Sequence, residues 1–145
     1  MTNNISTVKD LTQTTYDSVE GYRKAIEKAE SPALKNALNE RLQSRQETLT
    51  KLNSLLMSNG EERIDSSSVT ASTHQTFMNI ADAFENGNEA AVERVEEGED
   101  YIAGKFRDAL EDNDIDPAFR SVIQQAYQEI SAGERFSDML EKQYA

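Results

Sequence analysis

With 145 residues and no cysteine, the chain is long enough for one domain spanning 1–145, with no disulfide, thiolate metal site or thiol nucleophile. Twenty-seven acidic against 15 basic side chains give a net charge of −12, which opposes binding to nucleic-acid phosphates or an anionic membrane surface. No basic-then-apolar leader and no apolar run of about eighteen residues is present, so the expected protein is cytoplasmic, with neither nucleic acid nor membrane as partner.

In chain order, Ser6 or Thr7 is expected to cap a first helix, with Asp10 in its first turn where the helix dipole favours a negative charge. Val8, Leu11, Thr15, Val19, Tyr22, Ile26 and Ala29 recur at three- to four-residue spacing and form its apolar seam. Ser31-Pro32 ends that helix and starts the next, because serine caps a helix and proline suits its first turn. So short a turn makes the first two helices antiparallel neighbours. The second helix runs from Pro32 to about Ser58 and stops at Asn59-Gly60, a left-handed cap signal. Its leucines, Leu34, Leu38, Leu42, Leu49, Leu52 and Leu56, share one stripe, which Arg45 interrupts.

From Glu61 to Ser72 the chain is polar and serine-rich, as a crossover connection would be. A short helix is expected from about Ser72 to Phe84, carrying the only histidine, His74. Asn86-Gly87-Asn88 then closes that helix and opens a third long one, reaching about Glu111. At about 100° per residue, Ala91, Val95, Ile102, Phe106 and Leu110 lie on one stripe, and Glu99 falls within it. A carboxylate thus stands where an aliphatic side chain is expected. The surrounding acid, from Glu89 to Asp116, reads as a solvated face. Asp112-Asn113-Asp114-Ile115-Asp116-Pro117 is a turn, lacking the glycine and closing glutamate of a calcium loop. The fourth long helix starts at Pro117 and turns Phe119, Ile123, Ala126, Ile130, Gly133, Ser137, Leu140 and Tyr144 inward.

The fold class is therefore all-α: four long helices with a long second connection, the crossover arrangement of ferritin-like bundles. Arg45 and Glu99, both near mid-helix, are expected to meet inside the bundle as an ion pair joined by the Tyr22 hydroxyl, because unpaired buried charge is too costly. A ferritin-like di-metal site would need Glu-x-x-His pairs, and none is present. A carboxylate-only site for iron or manganese, using Glu20, Glu96, Glu99 and Glu129, is the alternative. Glu20 lies off its helix's apolar stripe. Small residues at Gly133 and Ser137 suggest a void beside the fourth helix that a small ligand could fill. There is no phosphate-binding loop, Ser-His-Asp set or cofactor fingerprint.

Glu20-Gly21-Tyr22-Arg23, Arg45, His74-x-x-Phe77-x-Asn79 and Glu96-x-Gly98-Glu99-Asp100, in this order and spacing, resemble an uncharacterised bacterial family of small ferritin-like four-helix proteins, a domain of unknown function. The resemblance covers about Val8 to Tyr144 and implies a ferritin-like bundle without implying an activity. In that family a histidine is common on the last helix in an Ala-His-Asp-Arg setting, which here reads Ala132-Gly133-Glu134-Arg135. The departure removes the best nitrogen ligand. The functional expectation is a non-catalytic interaction or stress-associated module with a degenerate ferritin-like core, self-associating as a dimer or binding a protein partner, with no cofactor.

Overall fold

A computed structural model describes residues 4–66 and 87–144. These form four helices and no strand: α1 (Ile5–Lys28), α2 (Pro32–Ser58), α3 (Asn88–Leu110) and α4 (Pro117–Tyr144). None of them is long and apolar enough to cross a membrane. The expected short helix from Ser72 to Phe84, and His74 with it, lies outside the described residues.

The boundaries follow from local chemistry. The Ser31 hydroxyl accepts from the Leu34 amide at 3.3 Å, and Pro32 occupies the first turn, where its missing N–H costs nothing. At the other end of α2, Gly60 has φ +81° and the Glu61 amide returns to the Leu56 carbonyl at 3.0 Å, closing the helix in a left-handed cap. The Asp112–Asp116 stretch behaves as a turn: Asp112 Oδ1 accepts from the Asp114 amide and Asp116 Oδ1 from the Ala118 amide. α1 differs from expectation. It begins at Ile5, not at a Ser6 or Thr7 cap, and Asp10 therefore falls outside its first turn. The reason is tertiary. Asn4 is buried, and its side-chain oxygen accepts from the Asp116 amide at 3.1 Å, so the turn before α4 fixes where α1 starts.

α1 packs on α2 and α3, and α4 packs on the same two. Asp10 meets Lys105 while Gly21 meets Arg94, so α1 and α3 are antiparallel. The short connections make α1–α2 and α3–α4 antiparallel as well. Consequently α2 and α3 run in the same direction on one diagonal, and the chain between them must climb the length of α2, about 40 Å at 1.5 Å per residue. Its described ends trace that climb. Glu61 lies beside Lys9, the Ser66 carbonyl beside Gln13, and the Gly87 amide on the Lys28 carbonyl.

Two apolar clusters fill the interior. One gathers Val8, Leu11, Leu52, Leu56, Ile102, Phe106, Ile115, Phe119, Ile123 and Ile130. The other gathers Val19, Tyr22, Leu34, Leu38, Leu42, Ala91, Val95 and Leu140 around the α1–α2 turn. α1 is buried over a wider arc than its apolar seam, including Thr12, Thr14 and Thr15. Each of these threonines is satisfied locally by donating to the carbonyl four residues earlier.

Asn88 ties the two halves together: its side-chain oxygen accepts from the Glu30 and Ser31 amides at 2.8 and 2.9 Å. Asn88→Ala leaves both donors without that partner and is expected to lower stability by about 1–2 kcal/mol in urea titration; an unchanged midpoint would show that the clasp contributes nothing.

Candidate site: a buried arginine–carboxylate centre

Between the two apolar clusters lies a polar layer to which all four described helices contribute. Its centre is Arg45, with none of its surface exposed. Arg45 Nη1 and Nη2 donate to Glu99 Oε1 and Oε2, both at 2.7 Å, a bidentate fork on a carboxylate that is 1% exposed. Arg45 Nε donates to Glu129 Oε1 at 2.9 Å, and Nη1 also donates to Ser18 Oγ at 2.6 Å. Four of its five N–H donors are thus engaged. The Tyr22 hydroxyl donates to Glu99 Oε2 at 2.8 Å, and its ring centroid is 5.5 Å from the guanidinium carbon, within cation–π range.

Glu129 closes the outer side. Its Oε1 also accepts from the Thr48 hydroxyl, and its Oε2 accepts from Arg41 Nη2 at 2.6 Å. Arg41 further donates to the Glu129 carbonyl at 2.9 Å. Two guanidiniums face two carboxylates, so the layer is neutral as a whole. Burial alone would lower the Arg45 pKa, but Glu99 and, less strongly, Glu129 hold it well above its ordinary value. Burial, reinforced by the negative charge of Glu99, pushes the Tyr22 hydroxyl well up. The groups therefore stay guanidinium and neutral phenol across the physiological range.

Tyr22, Arg45 and Glu99 are brought together here. Ser18, Arg41 and Thr48 are additional members. Arg41 and Ser18 carry a sequence signal, since each lies one helical turn from a cluster residue, Arg45 and Tyr22, on the same face. Glu129 joins as an arginine partner. Arg94 is a further buried arginine, 2% exposed, donating from Nε to the Gly21 carbonyl at 3.1 Å. A cavity of about 10 Å3 separates it from the centre, lined by Ser18, Gly21, Tyr22, Val95, Gly98 and Glu99; such a volume holds about one water.

The carboxylates Glu20, Glu96, Glu99 and Glu129 do not converge. Glu20 is half-buried and lies 3.7 Å from Arg23 on its own helix. Glu96 sits on the α3–α4 seam against Glu141, and Arg45 stands between Glu99 and Glu129. Among the described residues no group of three or more His, Cys, Asp or Glu is placed to hold a metal ion. The expected void at Gly133 is also corrected. A Cβ there would overlap Glu99 Oε2 and lie 2.8 Å from Arg45 Nη2, so the missing side chain makes room for the ion pair itself.

A family profile described as a domain of unknown function (DUF2383) matches residues 3–112. The matched segment contains Ser18, Tyr22, Arg41, Arg45, Thr48 and Glu99, while Glu129 and Gly133 lie beyond it. Comparison with curated proteins gave no match. Comparison with solved structures gave none either.

Arg45→Leu strands the buried Glu99 carboxylate and is expected to cost about 3–5 kcal/mol by chemical denaturation, whereas Arg45→Leu with Glu99→Leu recovers most of it. A double variant no more stable than the single one would contradict the pairing. Gly-to-Ala substitution offers an independent check on crowding. Gly104 in α3 has nothing within 4 Å of an added Cβ, so Gly104→Ala is expected to stabilise by about 0.5–1 kcal/mol. Gly133→Ala, the same change in α4, is expected to destabilise by about 1–3 kcal/mol. Equal signs would show that the ion pair does not need the space.

Proposed function

The chain belongs to the DUF2383 family, and we propose that it is a non-catalytic helical interaction module, cytoplasmic and dimeric, in which an internal ion network replaces the metal centre of a ferritin-like core. The observation that supports this is the Arg45 guanidinium, bonded to both Glu99 and Glu129 where those carboxylates would otherwise face each other. A bound cation there would have to displace a guanidinium already neutralised in place. The two carboxylates are held by hydrogen bonds whose geometry suits arginine, a planar fork, and not a spherical ion.

The topology favours the same lineage. Two antiparallel hairpins joined by a bundle-length connection, with parallel diagonals, are what a single-crossover bundle requires. A buried polar layer of this kind tends to fix helix register while adding little net stability, which suits a protein whose surface, and not its interior, meets a stress-related or other protein partner.

Two measurements test the reading. Purified protein is expected to contain no stoichiometric metal and to give no binding heat on titration with manganese or ferrous iron. Sedimentation over a concentration series is expected to show a monomer–dimer equilibrium. Saturable heat abolished by Glu99→Gln would replace this reading with a carboxylate iron or manganese binder, and a monomer at every concentration would remove the self-association part.

A further inference from the structure

The cavity beside the Arg45 centre, about 10 Å3 in volume, is walled by side chains that are themselves withdrawn from solvent: Ser18 and Tyr22 from α1, Arg94, Val95 and Glu99 from α3. Gly21 and Gly98 meet it as backbone alone. Three polar groups of this wall carry hydrogen-bonding capacity that the ion network does not use. Ser18 Oγ accepts from Arg45 Nη1, and among the described residues its own proton has no acceptor. Glu99 Oε2 is filled by Tyr22 and Arg45 Nη2, whereas Oε1 receives Arg45 Nη1 alone and keeps a second lone pair. The Tyr22 oxygen gives its proton to Glu99 and, among the described residues, receives none in return.

We propose that this cavity is the binding site of a single internal water molecule, which accepts from the Ser18 hydroxyl and donates to Glu99 Oε1 and to the Tyr22 oxygen.

The chemistry of the wall selects the occupant. One donor and two acceptors call for a molecule that both accepts and donates, and about three bonds is the usual complement of a buried water. The Arg94 guanidinium on the wall and that of Arg45 beside it repel a cation, and the Glu99 carboxylate repels an anion. The volume admits about one water and no organic molecule. An apolar occupant would leave all three groups unmatched in a dry interior, where unmatched groups are most costly.

The water also accounts for how the centre is held from α1. By taking the Ser18 proton it turns a lone pair of that hydroxyl toward Arg45 Nη1, and it fills the open position on Glu99. Ser18 and Glu99, on antiparallel helices, are thereby joined to each other as well as to the guanidinium between them. This site is a property of the interior and does not depend on the chain being a non-catalytic module.

A high-resolution crystal structure of the full chain tests this directly. It is expected to show one isolated density peak, refining as oxygen, about 2.5–3.2 Å from Ser18 Oγ, Tyr22 Oη and Glu99 Oε1. Oxygen-17 relaxation dispersion gives a readout in solution, because it counts waters held inside the protein and does not respond to hydroxyl proton exchange. Val95→Ile adds to the cavity wall one methyl group, about the volume of the water, and is expected to lower the dispersion amplitude by one water. Gly104→Ala, on the same helix with nothing within 4 Å of the added Cβ, is expected to leave the amplitude unchanged. No peak in the cavity, a peak beyond reach of any of the three oxygens, a peak that refines only as a chloride or metal ion, or a folded Val95→Ile protein with the wild-type amplitude would overturn the assignment.

Discussion

The fork that Arg45 makes on Glu99 is the constraint to which the rest of the interior conforms. A guanidinium and a carboxylate withdrawn from water each lose several kcal/mol of hydration, and they are tolerable only if the geometry is good and the remaining donors and acceptors are met. Each surrounding feature answers part of that requirement. Tyr22 and Ser18 supply neutral hydrogen-bond partners from α1. Glu129 takes the Nε donor, and Thr48 and Arg41 in turn fill the lone pairs of Glu129. Gly133 withholds a side chain so that α4 can approach. The apolar clusters on either side exclude water, which strengthens the fork and raises the cost of an imperfect one.

The centre was legible from sequence to the extent that it breaks a periodic pattern. Arg45 among leucines and Glu99 among aliphatic residues are visible because a 3.6-residue repeat leaves those two positions no reason to be charged. Tyr22 is visible because it completes the α1 seam. Glu129 was not legible as an arginine partner. It sits beside Ile130, just off the α4 stripe, where a glutamate is ordinary, and only the reach of two arginines from α2 draws it inward. Arg94 was hidden for a similar reason. It lies among acids on α3, and its burial depends on the approach of α1 at Gly21, a tertiary fact. At Gly133 the sequence is ambiguous, since a small residue marks either a space or a close approach and periodicity cannot distinguish the two; the structure has the close approach.

The helix limits divide along the same line. Where a terminus is set by its own residues, as at Ser31-Pro32, Asn59-Gly60 and Pro117, the sequence and the structure agree. The start of α1 does not belong to this class. Asn4 is held by the Asp116 amide, 112 positions away, and no local rule could have preferred it to Ser6. Gly87, with φ +127°, sits where the returning chain must turn sharply onto Lys28 and into α3, a conformation that the sequence suggested through its flanking asparagines.

The polar layer also has a sidedness. Both arginines of the network come from the first hairpin, α1–α2, and both glutamates come from the second, α3–α4. Neither hairpin can mate with a copy of itself without pressing like charges together in a dry interior, whereas the correct partner cancels them. The two halves are thus keyed to one another like the poles of a magnet, and exchange of hairpins between nascent chains would still reproduce the native pairing of opposite halves while homotypic assemblies are rejected. Of the ways in which the two hairpins could be combined, this polarity favours the one that leaves no like charges facing each other away from water.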